Sequence, residues 1–441
     1  MVNAFSGLGF APEAPVTYEF PQEMFDYGSD LTPLYDHFDD MIAGLMTWEP
    51  QGKLGLSEIQ TAEIAGKDYP EAVSKLNNYF LRNKWSDGLP FVPPTEEYVE
   101  WLLTGTDEDP EKVVSGETGV MPRGGIATVR TVAAILAMCG GRPEHMPLLL
   151  AAMDIMCAKT SIGSWNATTN SCMPMFTLNG PRASQFRLGS GYGCLGPDPA
   201  HPTGVIIGRA VRLILQNLGG ARPAEGTMAI FGGMRSTNAV FAEADELMPE
   251  GWTTIAEENG FSRNQDVLTM SVINSQCNML IEFGTPEMND YMLTGLAMIS
   301  CYPNPLRYKM GMNGAGGVFL LTPLFAQSLR DANGYTIEDV KQFIWEKSKR
   351  PYKDLKLWNP PSFFSPKAYD WENAKDDDLI PNCKDPSGIQ VIVCGGDQGG
   401  HLLFCHPFGG QKVSAEIKLP KNWDDLMLDA EIDLGPVSLN R

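Results

Sequence analysis

Apolar residues recur at three- and four-residue intervals along several stretches of the chain, with short unbroken apolar runs between them. Residues 69–83 place Val73, Leu76, Asn77 and Phe80 on one helical face. Thr128 suits the cap of a helix with Val129, Val132, Ala133 and Leu136 inward, closed by Gly140-Gly141. Pro147 opens another, with Leu149, Leu150, Met153 and Cys157 inward. The stripe Ile207, Val211, Ile214 and Leu218 ends at Gly219-Gly220, and Thr203 is a reasonable N-cap for it. Thr285-Pro286 starts a further helix, and Thr336 caps residues 337–347. Residues 31–46 and 96–103 are also expected to be helical. The apolar runs at 173–178, 266–273, 317–321 and 389–394 read as buried strands. The first stops at Asn179-Gly180-Pro181 and the last at Gly395-Gly396-Asp397.

Helices alternating with short strands predict an α/β fold behind an N-terminal helical extension. The dipeptides Asn179-Gly180 and Asn313-Gly314 each sit beside a short apolar strand, an echo that a duplicated α/β unit would explain. The expected division is an N-terminal arm with helices at 1–84, an α/β core at 85–410 and a C-terminal tail at 411–441.

Composition narrows the partners. A net charge of −21 disfavours nucleic-acid backbones and anionic membranes, while leaving a small molecule open. No apolar run reaches the length of a membrane span, and the first residues lack a basic region followed by an apolar core, so a cytoplasmic location is expected. The nine cysteines are odd in number, dispersed and without a Cys-x-x-Cys pair, which reads as reduced thiols.

Several stretches carry candidate chemistry. Trp85-Ser-Asp-Gly-Leu-Pro-Phe-Val-Pro-Pro-Thr95 is a stiff loop, either a domain-entry linker or a platform that aims Asp87 at a site. Gly191, Gly193 and Gly196 form a G-x-G-x-x-G, but Pro197-Asp198-Pro199 blocks the helix that a dinucleotide fingerprint requires. A glycine loop remains, ahead of the helix carrying Arg209. Glycine amides, a helix start and Arg209 would together hold an anionic group such as a carboxylate; the alternative is that Arg209 pairs with a carboxylate inside the fold. The polar cluster from Asn166 through Thr168 to Cys172 precedes a strand, and Asn179 ends that strand, where open α/β sheets bind ligands. Cys194 lies in the glycine loop with His201 seven residues on, either the setting of a nucleophilic thiol or a structural, incidental pair. Glu243, with Asp245 and Glu246, is either a solvated turn or a general acid/base. His401, Cys405 and His406 are close in sequence, and a metal there would need further ligands from elsewhere.

The loop at 85–95 resembles the W-x-D-G-L-P-V-V-P-P-T opening of a bacterial family associated with thioredoxin-like redox domains bearing a U/C-G-S-C motif. The resemblance continues, in order, through Asn179-Gly180-Pro181, Ile207-Gly208-Arg209-Ala210-x-Arg212-Leu213-Ile214, Asn217-Leu-Gly-Gly-Ala-Arg-Pro223, Ala242-Glu243 and Glu258-x-Gly260-Phe261. It covers about residues 85–410. This chain has no Cys-Gly-Ser-Cys of its own and carries an N-terminal extension of about 80 residues. The resemblance therefore implies a substrate-handling subunit, homo- or hetero-oligomeric, whose redox thiol or selenol comes from a separate subunit.

Three functional readings follow. The first is a thiol-dependent redox or lyase subunit acting on a small, anionic organic molecule. Glu243 and Cys194 would be catalytic there, and Asp87, Thr168, Asn179, Arg209 and Asn313 would bind substrate. The second is a metal-dependent hydrolase or lyase using His201, His401, Cys405 or His406. The third is a non-catalytic scaffold that assembles a complex.

Overall fold

In the computed structural model, residues 24, 28–47, 61–159, 168–224, 226–232, 239–301, 316–357, 373–397 and 400–437 are described. Six strands build one mixed sheet: β1 (Met173–Asn179), β2 (Val240–Ala242), β3 (Val267–Leu280), β4 (Gly317–Leu321), β5 (Ile389–Val393) and β6 (His401–Glu416), in the order β2-β1-β3-β6-β4-β5. β1 pairs parallel to β2 and antiparallel to β3; β4 pairs parallel to β5 and antiparallel to β6; β3 and β6 pair antiparallel at the centre. The two halves thus share one topology: a strand, a helical crossover to a parallel outer strand, then a long antiparallel inner strand. A duplicated α/β unit is present in this sense. Asn179 ends β1, whereas position 313 precedes β4 and lies outside the described residues. The two dipeptides are therefore not equivalent positions, and the echo did not mark the repeat.

The sheet curls until its outer strands meet. Register shifts in β3 at Ser271/Ile273 and Ile273/Ser275 bend the central pair. At the ends of the edge strands, the Ala244 N–H donates to the Val393 carbonyl at 2.8 Å. Alternate residues of every strand then face a shared interior: Met173, Met175, Phe241, Ile273, Val318, Leu320, Ile392 and Cys405 pack there. Ser271 donates to Gln390 Oε1 across the same interior at 2.7 Å.

Helices cover the two outer faces. Against β1, β2 and β3 pack α4 (Glu96–Leu103), α5 (Val129–Met138), α6 (Met146–Met153) and α7 (Thr203–Asn217). They follow α1 (Thr32–Asp36), α2 (Phe38–Thr47) and α3 (Tyr69–Arg82), and α8 (Ile255–Glu258) lies between β2 and β3. Against β4 and β5 pack α9 (Pro286–Cys301), α10 (Pro323–Asn333) and α11 (Ile337–Ser348); α12 (Tyr352–Lys356) follows. Local signals explain most boundaries. Thr128 and Thr131 form a capping box on α5, Thr336 and Asp339 one on α11, and Gly334 ends α10 at φ +71°.

Some expectations are corrected. The helix expected over 31–46 is two helices broken at His37. β3 runs on to Leu280, because backbone pairing with β6 holds its polar second half in the sheet. Thr203 does not cap α7: Pro202 occupies that position, and Thr203 Oγ1 meets His145 Nε2 at 3.1 Å. Burial first, then Arg142 and Arg187, push His145 down to about 3, so this imidazole is neutral. Its Nδ1 accepts the Arg142 N–H, which leaves Nε2 to donate to Thr203. The boundary expected at 410/411 cuts β6. The expected tail is also core structure: α13 (Trp423–Leu434) stacks Trp423 on Phe186 at 4.9 Å and donates its indole N–H to Gln185.

The loop at 85–95 is a strap bound to α7. Arg209 donates to both Asp87 carboxylate oxygens, at 2.8 and 2.9 Å, and to the carbonyls of Leu89 and Pro90. Gln216 holds the Ser86 carbonyl and Asn217 the Trp85 carbonyl. Trp85 packs edge-on against Tyr79 and Phe80, and Gly88 turns the chain at φ +97°. We expect Arg209→Ala to cost about 2–3 kcal/mol, because a mostly buried carboxylate and two carbonyls lose their donor. Arg209→Lys should recover less than half of that, since one ammonium cannot reproduce the two-pronged contact. Urea unfolding reads the loss, and limited proteolysis should show new cleavage at residues 84–94; an unchanged digest would remove the strap's structural role.

Candidate functional site

The crevice lies where the curled sheet closes. The loops that leave the carboxyl ends of β1, β2 and β5 converge there with the glycine loop 189–196. Each end is tied: Ala242 N–H to the Gly189 carbonyl, Glu243 N–H to Leu178, and Gly395 N–H to Ser190 at 2.7 Å. Gly396 faces the Tyr192 ring so closely that a Cβ would lie 2.3 Å from it, so a larger residue there would displace that side chain.

Two cavities share the walls Gly191 and Gly395. The first, about 280 Å³, is bordered by Glu243, Asp245, Glu246, His201, Arg263 and Ser190 among others. Glu243 is buried and accepts three hydrogen bonds. Oε2 takes Asn179 Nδ2 at 2.7 Å and the Ile255 N–H at 3.0 Å, and Oε1 takes the Val393 N–H at 3.0 Å. The other Asn179 Nδ2 proton goes to Asp245 Oδ1 at 2.7 Å, and Gly180 N–H donates to Asp245 Oδ2. One amide thus bridges two carboxyl groups. Burial first, then the Asp245 charge, push Glu243 up to about 8 against the pull of its three donors. Burial likewise raises Asp245 to about 6, opposed by Gly180, Asn179 and Arg263. Near neutral pH one carboxyl is largely protonated and its neighbour largely ionised, an acid and a base side by side.

The second cavity, about 600 Å³, is lined by Cys194, Gly193, Asn278, His401 and Leu403 among others. The Cys194 sulfur is within hydrogen-bonding reach of the Cys394 thiol, which lowers its pKa most. Burial opposes this, and the backbone amides of Leu195, Cys194 and Gly395 lower it further. Cys394, by contrast, is raised well above the usual thiol range, chiefly by that same contact and by burial. The two thiols share one contact at the closure of the sheet.

The expected site residues divide. Glu243, Asn179 and Cys194 gather around the crevice. Asp87 and Arg209 are paired to each other and line neither cavity, so the expectation that Arg209 receives an anionic substrate is corrected: its guanidinium is taken up by the strap. Thr168 lies before the opposite end of β1 from Asn179, with its Oγ1 accepting the Asn170 N–H, and the strand residues 173–178 separate the two. Asn313 falls outside the described residues. His201 reaches the first cavity and bonds Asp198 through Nδ1 at 2.6 Å. His401 contacts Asn278, and among the described residues no three metal-ligating side chains converge. Sequence reading missed Cys394, whose partner lies far away along the chain, and Asp245 as the second member of a carboxyl pair.

The raised Glu243 pKa has a definite sign. The folded state binds this proton more tightly than the unfolded chain. Its stabilising contribution is full below the ordinary carboxyl range and is lost as pH rises through about 8. Between pH 5 and 8.5 the protein should lose roughly 2–4 kcal/mol that Glu243→Gln does not lose. That variant should also be less stable at pH 5, because its amide NH2 faces backbone donors. Urea titrations across this range measure both effects, and identical slopes for the two proteins would rule out Glu243 as the titrating group.

Compared with known proteins, the chain matches no family model, no curated sequence and no solved structure.

Proposed function

We propose that this chain is the substrate-binding and catalytic subunit of a thiol-dependent enzyme, of the redox or lyase kind, acting on a small organic molecule. The observation that carries the reading is the juxtaposition, across the shared wall of Gly191 and Gly395, of an activated Cys194 thiol and the Glu243–Asp245 acid/base pair. Cys194 attacks an electrophilic centre of the substrate, with the Cys394 thiol beside its sulfur. Glu243, protonated near neutrality, supplies a proton to the leaving or developing anion, and Asp245 takes one up. The first cavity presents three acidic side chains, Glu243, Asp245 and Glu246, against Arg263, which already pairs with Glu257. Such a lining favours a neutral or cationic molecule bearing hydrogen-bond donors over an anion. The family resemblance adds a separate subunit with a thiol or selenol redox motif as the partner.

The test is covalent. The full chain is incubated at pH 7.5 with small thioesters, enones and alkyl halides, and adducts are mapped by peptide mass spectrometry. Cys194 should react at least tenfold faster than the exposed Cys277, and Cys194→Ser should remove that adduct alone. Equal or faster modification of Cys277 would defeat the reading.

One observation favours assembly. Helices α1 and α2 bury none of their residues and leave Tyr35, Phe38, Leu45 and Met46 exposed. Removal of residues 1–60 should lower the number of chains per particle, read by light scattering, while keeping α3, whose Asn77 and Phe80 hold the strap. An unchanged number of chains would remove this arm from any self-assembly.

A further inference from the structure

Cys194 and Cys394 stand 200 positions apart in the sequence, yet their thiols lie side by side at the closure of the sheet. Their settings differ in a directional way. Cys394 follows β5 and belongs to the sheet interior, only 4% exposed. Cys194 packs against that interior from outside and lines the larger cavity. A bulky reagent entering the cavity therefore meets Cys194 first, with Cys394 directly beneath it. The two segments are also held together: Gly395 N–H donates to the Ser190 carbonyl, Cys194 N–H to Gly191, and Cys394 N–H to Leu321. Cys405 sits deeper, fully buried behind Cys394.

Resting on Cys194 as the reactive thiol, we propose that Cys194 and Cys394 form a dithiol–disulfide redox pair that reduces low-molecular-mass disulfides, Cys194 attacking and Cys394 resolving. In the first step the Cys194 thiolate attacks one sulfur of the disulfide RSSR. A Cys194–SR bond forms, the S–S bond of RSSR breaks, and RS⁻ leaves with the electron pair. In the second step the Cys394 sulfur attacks Cys194. The Cys194–Cys394 bond forms, the second RS group departs, and the Cys394 proton leaves with it as RSH. Two electrons pass from the protein sulfurs to RSSR, and an external thiol reverses the sequence. The geometry orders the steps: Cys194 lines the cavity and meets the disulfide, and Cys394, buried in the interior beside it, reaches the sulfur of Cys194.

The experiment uses the full chain and oxidised glutathione, with acid quenching, alkylation of the remaining thiols, and intact-mass and peptide analysis. The wild type should lose two hydrogens and yield a linked Cys194–Cys394 peptide. Cys394→Ala should stop with glutathione on Cys194, and Cys194→Ser should give neither product. A wild type that keeps glutathione on Cys194, links another pair or stays unmodified overturns the proposal. Iodoacetamide labelling of the reduced wild type separates the two failures. Labelling at Cys194 without a disulfide in the wild type overturns the pair alone, and no labelling at Cys194 overturns the reactive thiol as well.

Discussion

The structure depends on how an open mixed sheet disposes of its two edges. Unpaired edge groups would need water or another chain. Here bulges in β3 bend the central strands until β2 and β5 approach, and the joint is made by one backbone hydrogen bond, Ala244 to Val393, and one side chain. The Glu243 carboxyl accepts the next N–H, that of Val393, where a neighbouring strand would have offered a carbonyl. It also takes the first N–H of α8, so one group joins two edges and the helix that follows β2. Burying a carboxylate is costly, and here three donors and a raised proton affinity share that cost.

The same closure creates the candidate chemistry. Three strand ends and a glycine loop crowd into one crevice, which is where ionisable groups become both buried and adjacent. Burial acts on both kinds of group in the same direction, toward the neutral form. The outcome differs with the donors at hand. For Glu243 burial and the Asp245 charge outweigh three donors, and the pKa rises; for Cys194 a thiol donor and backbone amides outweigh burial, and it falls. One crevice thereby holds a carboxyl whose pKa is raised and a thiol whose pKa is lowered.

The strap shows the opposite use of charge. Arg209 and Asp87 have the residue types of an anion-binding site, and a sequence reading left both roles open. Their two-pronged contact, with further bonds to Leu89 and Pro90, satisfies most of the guanidinium within the fold. The proline-rich loop is stiff because it ties α3 and the body through α7, which places its role in packing.

Much of the local architecture is written in the chain itself. The caps at Thr128 and Thr336, the stripe Ile207–Val211–Ile214 and the apolar strands near 173, 267, 317 and 389 are legible because caps and periodicity act over a few residues. Asn179, Glu243 and Cys194 could be singled out because turns at strand ends advertise themselves. What sequence could not supply was adjacency. The extension of β3, the strand running through 411, the partnership of Cys194 with Cys394 and the capture of Arg209 by Asp87 all depend on contacts across more than a hundred residues. Those contacts exist only once the sheet has curled and closed, and no local pattern encodes which distant groups that closure brings together.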